Sequence, residues 1–407
     1  MQTLPVGLAD VRAARNRIAG QVVATPCPTA MAFKDIARGE LHFKLESLQR
    51  TGSFKDRGSL NRLLHLSPEE RQRGVVTASA GNHAQALAYH ASRLGIPCTV
   101  VMPVTAPLIK VTNTRGYGAR VVQSGEVLDD SAEEARRLVA EEGRVMISAF
   151  DDPLVIAGQG TMGLEMAEQV PDVDLVVVPV GGGGMISGIA VALKALRPSV
   201  RIVGVEVEAA PSARASRDAG KIVKIHSAQT IADGIATKRV GDYTFPIIEA
   251  LVDDLVVVSE EETAQAILLL LERQKAVVEG AGAVSLAALT TGKVELGKGE
   301  KGILVLSGGN IDINRVARII DRGLVFDGRL VRLKVKVPDR PGNLSRLTRL
   351  VAGLGANVLE IVHRRAFADI SVGEVEIVLH LETRGRDHVQ EIEEALMAEG
   401  LTVREDV

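Results

Sequence analysis

Four short segments of this chain carry residues able to do chemistry. The first is LHFKLESLQRTGSFKDRG (41–58), where Leu41, Phe43 and Leu45 alternate with His42, Lys44 and Glu46 as in a strand. Thr51-Gly52-Ser53 is turn material, and a helix opens at Phe54-Lys55-Asp56-Arg57. A lysine at a helix start opposes the macrodipole. It is either an ordinary surface lysine in a charged turn or an amine placed to hold an aldehyde, as a Schiff base, or a phosphate. The second segment is Ser79-Ala80-Gly81-Asn82-His83 after VVTAS. Small residues open the backbone to a ligand, and free amides at a helix N-terminus bind an anion such as a carboxylate. Ser79 or Asn82 acting as a plain helix cap would also explain it. The third is Gly181-Gly182-Gly183-Gly184-Met185, directly after VVVPV. Four glycines between a buried strand and a helix can aim several amides at a phosphate. They lack the Gly-Lys-Ser/Thr ending of a nucleotide loop and the alternating glycines of a dinucleotide fingerprint, so a compact phosphate is favoured. The fourth is Ser307-Gly308-Gly309-Asn310 after ILVL, where Ser307 offers a hydroxyl or the segment is a simple strand–helix turn.

Each segment follows a strand at its C-terminal end, the edge where open α/β sheets bind ligands. Beside the strand at 41–45, the strands expected in the first three-quarters of the chain are short Val- and Ile-rich runs at 75–77, 99–102, 120–123, 145–148, 175–180, 202–207, 255–258 and 303–306. Continuous apolar runs suit strands covered on both faces. Helical patterns alternate with them. One starts at Ser67-Pro68-Glu69-Glu70 and another at Ser259 with Glu262 three residues on, a capping-box spacing. Alternating strands and helices predict an α/β fold with open, mainly parallel sheets.

The pattern changes near residue 330. Val331, Leu333, Val335 and Val337 alternate with basic residues, then a helix is expected from Pro341 to about Gly355. Strands at 357–364 and 375–381, a helix at 386–399 and a strand at 401–404 complete a β-α-β-β-α-β order, a ferredoxin-like unit. The expected division is 1–325 and 326–407, with about 50–152 forming a smaller inserted lobe of the first domain.

The 407 residues are 46% hydrophobic and 24% charged, with a formal net charge of -3. The charges are interspersed, which predicts neither a nucleic-acid stripe nor a polybasic membrane patch. Cys27 and Cys98 share no metal-ligand spacing and form no disulfide framework, in keeping with a reducing compartment. No signal peptide or bilayer-length apolar run is evident, so a cytoplasmic protein is expected.

Taken in order, the four segments resemble the tryptophan-synthase-β fold type of pyridoxal-phosphate (PLP) enzymes, and most closely the threonine dehydratase (threonine ammonia-lyase) family. LESLQRTGSFKDRG resembles its lysine motif and TASAGNHAQALA its substrate loop; KVTNTRGYGARVV, FDDPLVIAGQGT, GGGGMISG, TIADGIA and LSGGNID also read as family segments. VPDRPGNLSRLTRLVAGLGANVLEIVHRR looks like an ACT regulatory domain. The resemblance implies a two-lobed catalytic domain and assigns roles. Lys55 holds PLP as a Schiff base and later acts on the Cα proton, with Phe54 packed beside the cofactor. Asn82 bonds the cofactor's 3′-oxygen, Gly181, Gly182, Gly183, Gly184 and Met185 take its phosphate, and Ser307 meets the pyridine nitrogen. Ser79, Ala80, Gly81, Asn82 and His83 hold the substrate carboxylate, and Gly234 and Glu279 line the pocket. The implied reaction turns L-threonine into 2-oxobutanoate and ammonia.

Serine dehydratase and serine racemase share these motifs. Racemases of this type carry a second serine in the loop that here reads Ser79-Ala80-Gly81, and Ala80 carries no proton. Related enzymes also hold a cation: Glu206 and Ala210 match two of its ligands, but Ser212 stands where an acid is expected. A reading of another class is a non-catalytic amino-acid sensor, against which Lys55, Asn82, the glycine loop and Ser307 speak. The ACT-like unit implies an isoleucine or valine effector near 339–344 and 354–358, and a homo-oligomer, dimer or tetramer.

Overall fold

The structure, a computed structural model, describes residues 4–226, 229–365 and 371–406. They fall into two compact units, Met1–Ile313 and Asn314–Val407.

The described strands of the first unit are β1 (Glu40–Leu45), β2 (Val75–Ala78), β3 (Cys98–Met102), β4 (Arg120–Gln123), β5 (Val145–Met146), β6 (Leu175–Pro179), β7 (Arg201–Val207), β8 (Asp254–Val258) and β9 (Lys301–Leu306). They form two parallel sheets, ordered β1-β9-β6-β7-β8 and β4-β3-β2-β5. All five residues of β6 and of β3 are buried, as their unbroken apolar sequences require. The core of the larger sheet includes Val176, Val178, Ile186, Ile189, Ile202, Leu255, Ile303 and Val305. The smaller sheet has its own core around Leu87, Val100, Met102 and Ile147. β1, β9 and β6 are neighbours, so three of the four chemical segments leave the same sheet edge. The fourth leaves β2, an inner strand of the other sheet.

The helix Lys55–Leu64 is fixed at its start by buried charge. The Arg57 guanidinium donates to both oxygens of Glu46 at 2.8 Å and to Glu165 at 2.6 and 2.8 Å. Lys44 Nζ donates to Glu165 at 2.6 Å. Lys44, Glu46 and Arg57 have no solvent exposure, so each charge depends on its partners for the hydration it has lost. The capping box expected at Ser259 with Glu262 is present, and the helix expected to open at Ser67-Pro68 is capped in the same way, by Ser67 with Glu70.

The second unit has β10 (Leu330–Pro338), β11 (Asn357–Arg364), β12 (Glu374–Glu382) and β13 (Thr402–Glu405), paired antiparallel in the order β11-β12-β10-β13. The helices Asn343–Gly353 and Arg386–Ala398 complete the ferredoxin-like β-α-β-β-α-β order. Leu333, Val335, Ile377, Leu379, Ile392 and Leu396 are fully buried in its core. The first helix begins two residues later than its proline suggests. Gly342 makes the entering turn at φ 93°, a conformation closed to Pro341. Contacts assign Asn314 onward to this unit, earlier than the 325/326 boundary expected from sequence. The helix Ile313–Phe326 spans the division. Its amphipathic pattern does not announce which core it serves, whereas the alternation of β10 does. No described helix is long and apolar enough to cross a membrane.

Candidate active site

The loops after β1, β2, β6 and β9 line one cavity of about 330 Å³, a size suited to a small ligand. Around it stand Phe54, Lys55, Ser79, Ala80, Gly81, Asn82, His83, Gly181, Gly182, Gly183, Gly184, Met185 and Ser307, together with Gly234 and Glu279. Residues separated by more than 250 positions are thus brought together.

Lys55 opens its helix, and its Nζ donates to the Ala149 carbonyl at 2.7 Å and lies 4.9 Å from the Phe54 ring centroid. Burial pulls its pKa down to about 8, against the opposing charge of Glu279. More of the amine is therefore uncharged near neutral pH than in an ordinary lysine, and the uncharged form is the one that attacks an aldehyde.

Gly181 to Gly183 connect β6 to the helix Gly184–Leu196. Gly183 has φ 92°, and a Cβ there would sit 2.7 Å from Ile248 and 2.8 Å from the Thr244 hydroxyl. At Gly182 a Cβ would lie 2.4 Å from the Phe150 ring. The turn therefore demands glycine, and it leaves the first amides of a 13-residue helix at the cavity.

The loop after β2 is held by the Gly81 amide, which donates to Ser79 Oγ at 3.3 Å. Asn82 starts the helix Asn82–Arg93, and its Nδ2 donates to Glu279 Oε1 at 2.6 Å. The His83 ring is committed elsewhere, to Ser59 Oγ and to the Ile147 carbonyl, each at 3.3 Å. Burial, aided by the charge of Lys55, pulls its pKa down to about 3, so it is neutral. What His83 leaves available to a ligand is its place in the first helical turn. Glu279 is pushed up to about 8 by burial and by Asp233, against the Asn82 hydrogen bond and the charges of Lys110 and Lys55.

Glu206 and Ala210 are not among the cavity residues. The Glu206 carboxylate accepts the amides of Ala213 and Arg214 at 2.7 and 2.8 Å and so caps the helix Ser212–Ala219. Burial pushes its pKa up to about 7 despite those amides. Among the described residues no group of three His, Cys, Asp or Glu side chains is placed to hold a metal ion.

Several cavity residues went unassigned in the sequence. Ala149 and Phe150 lie in an irregular stretch, and no side-chain pattern marks a carbonyl that receives an amine. Lys110 and Asp233 pair at 2.7 Å across 123 positions. Asn310 was legible only as part of the turn after β9.

PLP asks a site for an amine to meet its aldehyde, amides for its phosphate and a partner for its ring nitrogen. Lys55, the glycine turn and Ser307, 2% exposed at the cavity wall, meet that list. Comparison with known proteins agrees. Residues 18–308 match the pyridoxal-phosphate dependent enzyme family and 331–400 the ACT domain. The chain is 49% identical to an L-threonine ammonia-lyase of Thermotoga maritima, over 98% of this chain and 99% of that one. It is 47% identical to an L-threonine ammonia-lyase of Geobacter sulfurreducens, over 97% and 98%. The solved structure of maize serine racemase, 37% identical, superposes with a TM-score of 0.74 over 79% of this chain and 98% of that one. The chain belongs to the threonine ammonia-lyase family of pyridoxal-phosphate dependent enzymes and carries an ACT domain at its C-terminal end.

Proposed function

We propose that this enzyme deaminates L-threonine to 2-oxobutanoate and ammonia, with Lys55 as the residue that holds the cofactor and moves the Cα proton. The observation that carries the reading is the convergence of a buried, partly uncharged amine, a glycine-built helix N-terminus and Ser307 on one cavity of substrate size. When bound, PLP supplies the electron sink that acidifies the substrate Cα–H bond. The amides of Gly181 to Met185 hold its phosphate, and Phe54 packs beside its ring. Ser307 would meet the ring nitrogen with a neutral hydroxyl, a partner that carries no charge and so leaves the ring a modest electron sink. Ser79, Ala80, Gly81, Asn82 and the start of the His83 helix orient the substrate carboxylate. Lys55 Nζ would take the Cα proton. The Cα proton and the β-hydroxyl are lost together as one water, and the enamine set free takes up one water to give the 2-oxo acid and ammonia.

Ala80 supports elimination over racemisation, because the face opposite Lys55 then has no hydroxyl at that position to return a proton. L-serine differs from L-threonine by one methyl, worth roughly 1–3 kcal/mol of discrimination, so turnover of both is expected with threonine preferred. The ACT domain supports regulation by isoleucine or valine bound near 339–344 and 354–358, within a homo-oligomeric, cytoplasmic enzyme. Steady-state rates with L-threonine and L-serine, each with and without isoleucine and valine, test this reading. Formation of 2-oxobutanoate from threonine, altered by one of the two effectors, is expected. Absence of any 2-oxo acid would remove the proposed activity, and rates indifferent to both effectors would remove the proposed regulation.

A further inference from the structure

Asn82 is held by more than its place at the head of a helix. Its Oδ1 accepts a hydrogen bond from Asn310 Nδ2 at 2.8 Å, and Asn310 Nδ2 also donates to the Thr51 carbonyl at 2.7 Å. Its Nδ2 donates to Glu279 Oε1 at 2.6 Å. Glu279 stands at the N-cap position of the helix Gly280–Thr290, yet makes no side-chain capping bond there. Its backbone amide is tied instead to the Gly308 carbonyl at 3.0 Å, and its side chain turns toward Asn82. Two glycines make room for this arrangement. A Cβ on Gly308 would fall 2.6 Å from Glu279 Oε1, and one on Gly52 would fall 2.6 Å from Asn310 Oδ1. The segments after β1, β2 and β9 and the start of the helix Gly280–Thr290 thus meet in one chain of polar contacts.

The chemistry of an amide makes this arrangement directional. An asparagine free to rotate by half a turn offers either its carbonyl or its amino group to a ligand. With Asn310 donating to Oδ1, the amide cannot turn over without losing that bond. With Glu279 accepting one of the two Nδ2 hydrogens, the other remains as a donor to the cavity. We propose that Asn310 and Glu279 are positioning residues that clamp the Asn82 amide from both ends, so that its remaining N–H is a fixed donor to the ring oxygen of the bound cofactor. The inference rests on the PLP-binding roles proposed above. The groups facing Glu279 are Asn82, Lys55, Lys110 and Asp233. A carboxylic acid and a carboxylate both accept from Asn82 through Oε1, so the clamp survives a change in the charge of Glu279.

The test measures cofactor affinity and spectrum rather than turnover. Cofactor-free wild type, Asn82→Ala, Asn310→Ala, Glu279→Ala, Glu279→Gln and the double variant Asn82→Ala/Asn310→Ala are titrated with PLP. The dissociation constant and the visible absorbance of the lysine-bound cofactor are followed, with thermal unfolding of each cofactor-free variant as a control for folding. Asn310→Ala and Glu279→Ala are each expected to weaken binding about tenfold, the scale of one hydrogen bond to a charged group, and to shift the absorbance maximum in the same direction as Asn82→Ala. Glu279→Gln keeps an acceptor and restores most of the affinity. The double variant binds no more weakly than Asn82→Ala alone, since the clamp has nothing left to hold. Wild-type affinity and spectrum in Asn310→Ala and Glu279→Ala, or an effect of Asn310→Ala that persists in full without Asn82, would overturn the clamp while leaving the PLP site intact. Wild type that forms no lysine-bound cofactor at all would remove the proposed PLP roles and this inference with them.

Discussion

Lys55 and Glu279 face the same small cavity with pKa values displaced toward each other, one down to about 8 and the other up to about 8. For Glu279 the consequence is a pH dependence of stability. The folded protein keeps this proton up to about pH 8, whereas the unfolded chain gives it up near 4.5. Between those values the folded state binds more protons, so stability falls as pH rises. Glu279→Gln has no such proton to lose. Denaturant unfolding of the cofactor-free proteins at pH 5 and pH 8 is expected to give similar midpoints at pH 5 and a higher midpoint for Glu279→Gln at pH 8. Curves that stay parallel across that window would contradict the displaced carboxyl. The sequence marked Lys55 because a lysine at a helix start opposes the dipole. It gave Glu279 no comparable mark, since its displaced pKa arises from burial and from Asp233, both products of the fold.

The helix that presents Lys55 is anchored two residues later by Arg57. Removing that guanidinium leaves the Glu46 carboxylate in the interior without its cation, while Glu165 keeps only Lys44. Arg57→Met is expected to destabilise the protein by about 3–5 kcal/mol, measured by denaturant unfolding. A loss under about 1 kcal/mol would mean that water reaches Glu46 and Glu165 when the arginine is gone. Elements were the most legible level of this molecule. The buried strands announced themselves as unbroken Val and Ile runs, the capping box at Ser259 as a spacing of three, and the helix after Ser67 by Pro68 at its first position. Boundaries were less so: β5 ends at Met146, two residues before the end of the run 145–148 that predicted it. Charge networks were not legible at all. Lys44, Glu46 and Arg57 read as ordinary polar residues of a strand and a helix start, because Glu165, the shared partner of Lys44 and Arg57, lies more than 100 positions away.

At the scale of the whole molecule, the order of strands converts scattered motifs into a site. The sequence placed each motif at the C-terminal end of a strand. Only the adjacency of β1, β9 and β6, with β2 in the other sheet, brings Lys55, Ser307, the glycine turn and Asn82 to one cavity. The family segments made that convergence expected before the topology was known; the residue types alone left each motif open to a plainer reading. The most direct test of the central assignment is to load the full chain with PLP, reduce it with borohydride and locate the modified residue by peptide mass spectrometry. The modification is predicted on Lys55, and Lys55→Ala is predicted to acquire none and to form no 2-oxo acid. A modification on another lysine, or appreciable 2-oxo acid from Lys55→Ala, would contradict the assignment.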